Sequence, residues 1–157
     1  MTAFTQYVRT IVEDAGYEAG ADGSATIEAQ HVLVAIAARS ETKASQFLCA
    51  SGLTPQSLRD ALHREWERSL STTGASLQTL KLERGRLTAT PVTSLGPSVQ
   101  QALERGVSGL RSGAQPAHLL LGILRADIGI VPRALELAGY DRADLLTRAR
   151  EALAGEC

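Results

Sequence analysis

Three histidines are the residues of this sequence best suited to catalysis or metal binding, because imidazole titrates near neutrality and ligates metals. His31 and His118 each stand at the start of an apolar stretch, whereas His63 lies among charged residues. The sequence contains neither the His-x-x-x-His nor the Cys-x-x-Cys spacing of metal sites. We therefore predict that His31 and His118 hydrogen-bond the loops that precede them, and that the chain binds no metal or other cofactor.

Nucleophilic catalysis requires a nucleophile, a base, an orienting group and donors for an oxyanion. The sequence has no Gly-x-Ser-x-Gly elbow, and the serines near residues 69–76 have the composition of a linker. Glu13 and Asp14 are adjacent, so on a helix their carboxylates project about 100° apart instead of converging. We predict that the chain is not an enzyme.

Composition indicates a globular chain without a nucleic-acid or membrane signal. Basic and acidic residues number 16 and 17, and no Lys/Arg cluster is present that could displace counterions from phosphates. No apolar run approaches the ~20 residues that span a bilayer, and the N-terminus lacks a signal-peptide pattern. We expect a cytoplasmic protein with no nucleic-acid or membrane partner. Cys49, in an apolar helical stretch, is expected to be a buried thiol, and Cys157 a tail thiol.

An internal repeat organises the elements that position these residues. The stretches 31–36 and 118–123 match when the sequence is shifted by 87 residues. The same shift also superposes Leu48 on Leu135, Gly52 on Gly139 and Leu58 on Leu145. Apolar positions and a glycine that coincide over about 30 residues indicate a duplication.

Each copy is predicted to contain four helices, which makes the fold all-α: two tandem four-helix repeats related by pseudo-two-fold symmetry. In the first copy, Thr5 is the predicted N-cap of the first helix and Gly52 ends the third in a left-handed conformation. The other predicted helices are 27–39, 43–51 and from 55 onward in the first copy, and 97–110, 116–126, 131–138 and 142–154 in the second.

This pattern divides the chain into repeat 1 (residues 1–68), a linker (69–94) and repeat 2 (95–157). The linker is rich in Ser, Thr and Gly at both ends, and we predict that it is flexible. A short hairpin over residues 77–90 is the alternative, although an isolated two-stranded ribbon is marginal in water.

The residues that carry the repeat resemble those of the Clp N-terminal repeat, the substrate- and adaptor-binding head of Clp unfoldases. The carriers are Phe4-Thr5, residues 31–36, Leu48 and Gly52, then Pro97, residues 118–124, Leu135 and Gly139. The resemblance covers nearly the whole chain and is similar in layout to the double repeat of ClpC-type proteins. It implies protein or peptide partners from a Clp-type protease system. The sequence has no Gly-x-x-x-x-Gly-Lys-Ser/Thr phosphate loop, so we expect a free-standing domain without ATPase modules.

Departures from the family pattern affect one known pocket. ClpC-type repeats carry a glutamate, before the histidine, that helps to bind phosphorylated arginine, and Gln30 and Ala117 occupy its two positions. An amide pairs with a guanidinium only in part, and a methyl group not at all. The family threonine is kept as Thr5 but becomes Gly96 in the second copy, where Gln100 replaces an expected basic residue. We predict a degenerate phosphoarginine pocket.

By the same resemblance, partners dock near the start of each first helix and in the groove between the repeats. The candidate partner-binding residues are Phe4, Thr5, Val8, Gln30, Leu95, Val99 and Gln100. Phe4 and Leu95 are equally suited to be hydrophobic staples that fix a helix start. The leading hypothesis is an adaptor or decoy that competes with an unfoldase's own N-domain. The alternative is a small-molecule-binding protein, for example one that sequesters an antibiotic in the groove.

Overall fold

A computed structural model describes residues 2–73, 91–110 and 113–154 of the chain. Over these ranges the protein is all-helical, which confirms the predicted fold class, and its only β-type pairing is one isolated bridge. The helices are α1 (Ala3–Ala21), α2 (Ala29–Ala38), α3 (Lys43–Ala50), α4 (Pro55–Thr73), α5 (Pro97–Val107), α6 (Pro116–Leu124), α7 (Ile130–Leu137) and α8 (Arg142–Ala152). None of these described helices is both long and apolar enough to cross a membrane. The hairpin alternative for 77–90 and Cys157 fall outside the described residues.

The first helix begins earlier than predicted, because Thr2 and not Thr5 is its N-cap. The Thr2 hydroxyl oxygen accepts the backbone N–H of Thr5 at 3.1 Å, so Thr5 is already in the first turn. Phe4 therefore lies inside the helix. The staple role that we considered for Phe4 is wrong, because a staple residue must precede the cap.

The predicted ends of the third helix of each copy are confirmed. Gly52 and Gly139 both have φ of +89°, a conformation that costs glycine little and other residues more. Pro55 then opens α4, and the Thr54 hydroxyl accepts the Ser57 N–H at 3.1 Å. The helix continues to Thr73, into the segment that the sequence assigned to the linker. The division of the chain into two repeats and a linker stays a prediction.

Two apolar helices, α2 and α6, lie at the centre of the molecule. Residues 31–37 of α2 are all buried, as are 117–120 and 122–124 of α6. Across the predicted repeats, α1 packs on α6 as α5 packs on α2, and α3 packs on α6 as α7 packs on α2. A two-fold exchange of the repeats requires such reciprocal pairs, so these contacts support the predicted pseudo-symmetry.

One contact departs from this reciprocity. Helix α4 packs extensively on α7, whereas α3 and α8 make no comparable contact within the described residues. At the α4–α7 contact the buried Glu65 carboxylate accepts hydrogen bonds from Arg133 Nε at 2.8 Å and from the Ser69 hydroxyl at 2.7 Å. Pairing offsets the desolvation cost of that buried charge. The long α4 thus fastens the first repeat to the second.

The prediction of a buried thiol at Cys49 is wrong, because its side chain is exposed. Helix α3 turns Ala44, Ser45 and Leu48 toward the core. Position 49 follows Leu48 by one residue and so points about 100° away from it.

Helices α5 and α6 approach each other at glycines. A Cβ atom on Gly122 would overlap the carbonyl oxygen of Ala102, and one on Gly106 would overlap that of His118. Only hydrogen at these positions permits backbone-to-backbone contact. The close approach places α6 firmly against α5 along its length.

We expect Gly122→Ala to lower the free energy of unfolding by about 1–3 kcal/mol, because the added methyl group must push two helices apart. Urea denaturation followed by circular dichroism measures this change. Gly113→Ala is the matched control, since a Cβ there meets no atom within 4 Å. Equal stability of the two variants would contradict the proposed close packing.

Candidate functional site

The N-terminal ends of α2 and α6 are capped by the two core histidines in the same way. His31 Nδ1 accepts the backbone N–H of Glu28 at 3.0 Å, and His118 Nδ1 accepts that of Gln115 at 2.7 Å. The predicted structural role of both histidines is confirmed. Because Nδ1 of His31 is an acceptor, the ring proton lies on Nε2, which donates to Asp22 at 3.1 Å. Within the described ranges, no group of His, Cys, Asp and Glu side chains could hold a metal ion.

Next to His31, the start of α2 is joined directly to the start of α5. Ile27 donates its N–H to the Ser94 carbonyl, and its own carbonyl accepts the Gly96 N–H, both at 2.8 Å. One residue into α2, the Ala29 N–H donates to the Ser98 hydroxyl at 2.8 Å. These bonds fix the first helix of the second repeat against the second helix of the first repeat.

A carboxylate occupies the centre of this junction. Glu28 accepts a hydrogen bond from the Thr26 hydroxyl at 2.8 Å and another from the Ser98 hydroxyl. Its oxygens fill the space beside Gly96, so a Cβ at that position would overlap them. At position 96 this contact leaves room for glycine but not for a side chain.

A groove of about 440 Å³ opens beside this junction, and we call it the junction groove. Its rim carries Ile128, which is 84% exposed, and Ile130, which is 37% exposed. It is lined by Ser24, Thr26, Glu28, Ala29, Gln30, Ser98, Gln101, Arg105, Ile123, Ala126, Ile128, Gly129, Ile130, Val131 and Pro132. Apolar side chains exposed beside hydrogen-bonding groups are typical of surfaces that bind other molecules.

A second cleft, of about 370 Å³, lies between α1, α2 and α4, and we call it the Trp66 cleft. It is lined by Glu18, Ala21, Asp22, Gln30, His31, Val34, Arg59, Asp60, Leu62, His63, Glu65, Trp66 and Ile130. Arg59 donates to Glu18 at 2.5 and 3.2 Å, and this hydrogen bonding raises the pKa of the Arg59 guanidinium. Gln30 and Ile130 line both clefts, so the two clefts lie side by side.

The predicted partner-binding residues fall into two groups. Leu95 is 39% exposed beside the junction, Gln100 is exposed on α5, and Val99 is a core residue only 1% exposed. Val99 can therefore pack beneath the binding surface but cannot itself contact a partner. In the other group, at the start of α1, Thr5 is exposed and Phe4 and Val8 pack partly against the core.

The structure does not bring Gln30 and Thr5 together, although both belong to the first repeat. Gln30 shares the Trp66 cleft with Glu18, which lies thirteen residues further along α1 than Thr5. At 1.5 Å per residue this separation is about 20 Å. The neighbours of Gln30 are instead Ser98 and Gln101 of the second repeat. Gln30 therefore lines a groove to which both predicted repeats contribute residues.

Several residues of the two clefts were not predicted. Glu28 and Ser98 meet only through tertiary contact, and nothing in their sequence positions indicates it. Two others, Trp66 and Ile128, have features in the sequence that could have marked them as candidate binding residues. The first is the one tryptophan of the chain, and the second is an isoleucine between Asp127 and Gly129 in a loop.

A family model described as the Clp repeat N-terminal domain matches residues 3–108. The match spans about two thirds of the chain and includes α1 to α5. A search of curated proteins gives no significant match. The matched residues contain Gln30 and the whole bonded junction between α2 and α5.

We expect Gly96→Thr to lower the free energy of unfolding by about 1–3 kcal/mol, because its side chain would displace the Glu28 carboxylate. Thermal or urea unfolding measures the loss. In the double variant with Glu28→Ala the overlap is removed, so the loss caused by Gly96→Thr is expected to shrink. If the two effects simply add, Glu28 does not explain the glycine.

Proposed function

The chain belongs to the Clp repeat N-terminal domain family, and on that premise we propose that it is an adaptor or decoy in ATP-dependent proteolysis. Domains of this family bind protein substrates or adaptors of Clp systems and are not catalytic. We propose that this chain binds such proteins in the cytoplasm and competes for them with an unfoldase's own N-domain. It performs no reaction on them.

The observation that carries this proposal is the junction groove with Ile128 on its rim. An isoleucine that is 84% exposed leaves nearly its whole side chain in water. Covering such a side chain with a partner contributes about 1.5–3 kcal/mol. Beside it, the side-chain amides of Gln30 and Gln101 provide hydrogen-bonding groups that can orient a bound protein segment. The groove therefore combines an apolar anchor with polar groups that could give specificity.

The chemistry of the site supports binding without catalysis. Both ring nitrogens of His31 are engaged, Nδ1 with the Glu28 amide and Nε2 with Asp22. Using this imidazole as a general base would break the cap of α2. Glu28 is likewise held by the hydroxyl groups of Thr26 and Ser98. His31, Glu28 and Ser98 are thus engaged in holding the junction together.

The other docking edge that we propose is the start of α1, with Phe4, Thr5 and Val8. It lies towards the other end of α1 from the Trp66 cleft, since Thr5 and Glu18 are about 20 Å apart along the helix axis. Leu95 and Gln100 belong to the edge that is next to the junction groove, above the buried Val99.

We expect Ile128→Ser to weaken binding of a purified Clp adaptor by about tenfold, because the lost apolar burial is worth about 1.4 kcal/mol or more. Isothermal titration calorimetry, with and without a competing unfoldase N-domain, measures both affinity and competition. Tyr17→Ser is the matched control, since Tyr17 is also exposed and apolar but lies on α1 outside both clefts.

Two results would contradict the proposal. If Ile128→Ser and Tyr17→Ser bind the adaptor equally well, the junction groove is not the docking surface. If the unfoldase N-domain does not compete at all, the chain shares no partner with it, and the decoy role is wrong.

We further propose that the phosphoarginine pocket is degenerate. Gln30 offers an amide where a guanidinium requires a carboxylate, and the nearby Glu28 carboxylate already accepts two hydroxyl groups. Small-molecule binding, the alternative function, gains no support from the family match.

A phosphoarginine peptide is therefore expected to show no saturable binding to the natural chain in a calorimetric titration. Gln30→Glu restores the family carboxylate, and we expect it to increase affinity for the peptide. Saturable binding by the natural chain that is abolished in Gln30→Ala would show that the pocket is intact.

A further inference from the structure

The Trp66 cleft has a counterpart in the second repeat. A cavity of about 310 Å³ lies between α5, α6 and α8, and we call it the α8 cavity. Three of its lining residues, His118, Leu121 and Arg150, stand 87 residues after His31, Val34 and His63 of the Trp66 cleft. The shift is the same one that relates the two repeats. The two cavities therefore occupy equivalent places in the two copies.

Their charges are opposite. The Trp66 cleft is lined by four carboxylates and one arginine: Glu18, Asp22, Asp60, Glu65 and Arg59. The α8 cavity is lined by Arg125 and Arg150, and no carboxylate stands among its described lining residues. Position 66 also differs, because the equivalent residue of the second repeat is Leu153, which is buried. The duplication has thus kept the cavity and inverted its electrostatics.

Asp60 is a carboxylate of the Trp66 cleft that accepts its hydrogen bond from a neutral group. Glu18 is compensated by Arg59, and Glu65 by Arg133. Asp60 is exposed and accepts a hydrogen bond from the neutral side-chain amide of Gln56 at 3.0 Å. Its negative charge therefore remains at the mouth of the cleft.

The remaining wall of the Trp66 cleft is apolar. Val34, Leu62 and Ile130 line it, and Trp66 stacks on His63 with ring centroids 5.9 Å apart. Aliphatic side chains bury against such a wall, and an indole attracts cations through its ring quadrupole. A cleft lined by both an uncompensated carboxylate and an indole favours a positively charged group over a neutral one.

We propose that the Trp66 cleft binds a protein segment in which a lysine or arginine lies next to an apolar side chain. The apolar side chain packs on the wall that includes Trp66, and the cation lies near Asp60. The α8 cavity, with its two arginines, repels the same segment. This inference rests on the proposed function as a protein-binding module, and it names the chemical class of segment that one cleft selects.

Trp66 provides a direct readout, because it is the one tryptophan of the chain. The probe is an acetylated and amidated Leu-Lys-Leu-Lys-Leu-Lys peptide. The control peptide has glutamate in place of each lysine. We expect the lysine peptide to change Trp66 fluorescence saturably and the glutamate peptide to leave it unchanged. Raising the salt concentration is expected to weaken the lysine peptide's binding, because exposed charges are screened.

Variants of exposed residues assign the effect to the cleft. Asp60→Asn is expected to weaken binding of the lysine peptide about threefold, in the range of an exposed ion pair. Asp60→Lys is expected to reverse the preference in favour of the glutamate peptide. Asp144→Asn is the matched control, because it removes the same charge from α8 outside both cavities. Arg150→Gln, in the α8 cavity, is expected to leave the affinity for the lysine peptide unchanged.

Equal fluorescence changes with both peptides would overturn the proposed selectivity. An affinity that is unaltered in Asp60→Asn and Asp60→Lys would overturn the proposed place of binding. Either result leaves the adaptor experiment with Ile128→Ser untouched, because Ile128 does not line the Trp66 cleft. Failure of this inference and failure of the proposed function are thus separate outcomes.

Discussion

Helices α2 and α6 are buried on almost every side, and the rest of the structure depends on this constraint. A helix without a polar face cannot be covered by one neighbour and must be surrounded. In this protein, α2 is surrounded by α1, α3 and α4 of its own repeat and by α5, α6 and α7 of the other. Neither repeat supplies enough helices to cover its own central helix. The helices of both predicted repeats therefore share one hydrophobic core.

The N-terminal ends of α2 and α6 present backbone amides that require hydrogen-bond partners. The first amide groups of a helix have no partner within it and need acceptors from elsewhere. His31 and His118 solve this by accepting the N-cap amides, while Ser98 of α5 accepts the Ala29 amide of α2. The same hydrogen bonds that satisfy the end of α2 also join the repeats. Gly96 is part of this solution, because it leaves room for the carboxylate of Glu28.

The clefts lie beside the contacts that join the two predicted repeats. The junction groove runs beside the bonded starts of α2 and α5, and the Trp66 cleft lies where α4 leaves α1 to pack on α7. A scaffold held rigid at its centre can vary its surface without losing the fold. The opposite charges of the Trp66 cleft and the α8 cavity are an example, since equivalent backbone positions carry His63 in one and Arg150 in the other.

The sequence by itself determined the elements whose cause is local. Gly52 and Gly139 end helices because their own backbone conformation favours glycine, and Pro55 opens α4 because its φ suits a first helical residue. The capping role of the histidines was predictable for the same reason, since the partner amide is only three residues away. The all-α class and the 87-residue repeat likewise follow from patterns along the chain. Thr2 and Thr5 are both possible N-caps within one turn, and the local pattern did not show which of them begins α1.

Only the tertiary structure decided which helix faces which. Gln30 lies with the start of α5 and not with Thr5, and Cys49 is exposed although its neighbours in sequence are apolar. A periodic pattern shows that a face is buried, but it does not identify the face that covers it. The junction groove, the Trp66 cleft and the place of Glu28 all depend on contacts between residues far apart in the chain. Such contacts are set by packing two complete repeats, and no spacing within either repeat encodes them.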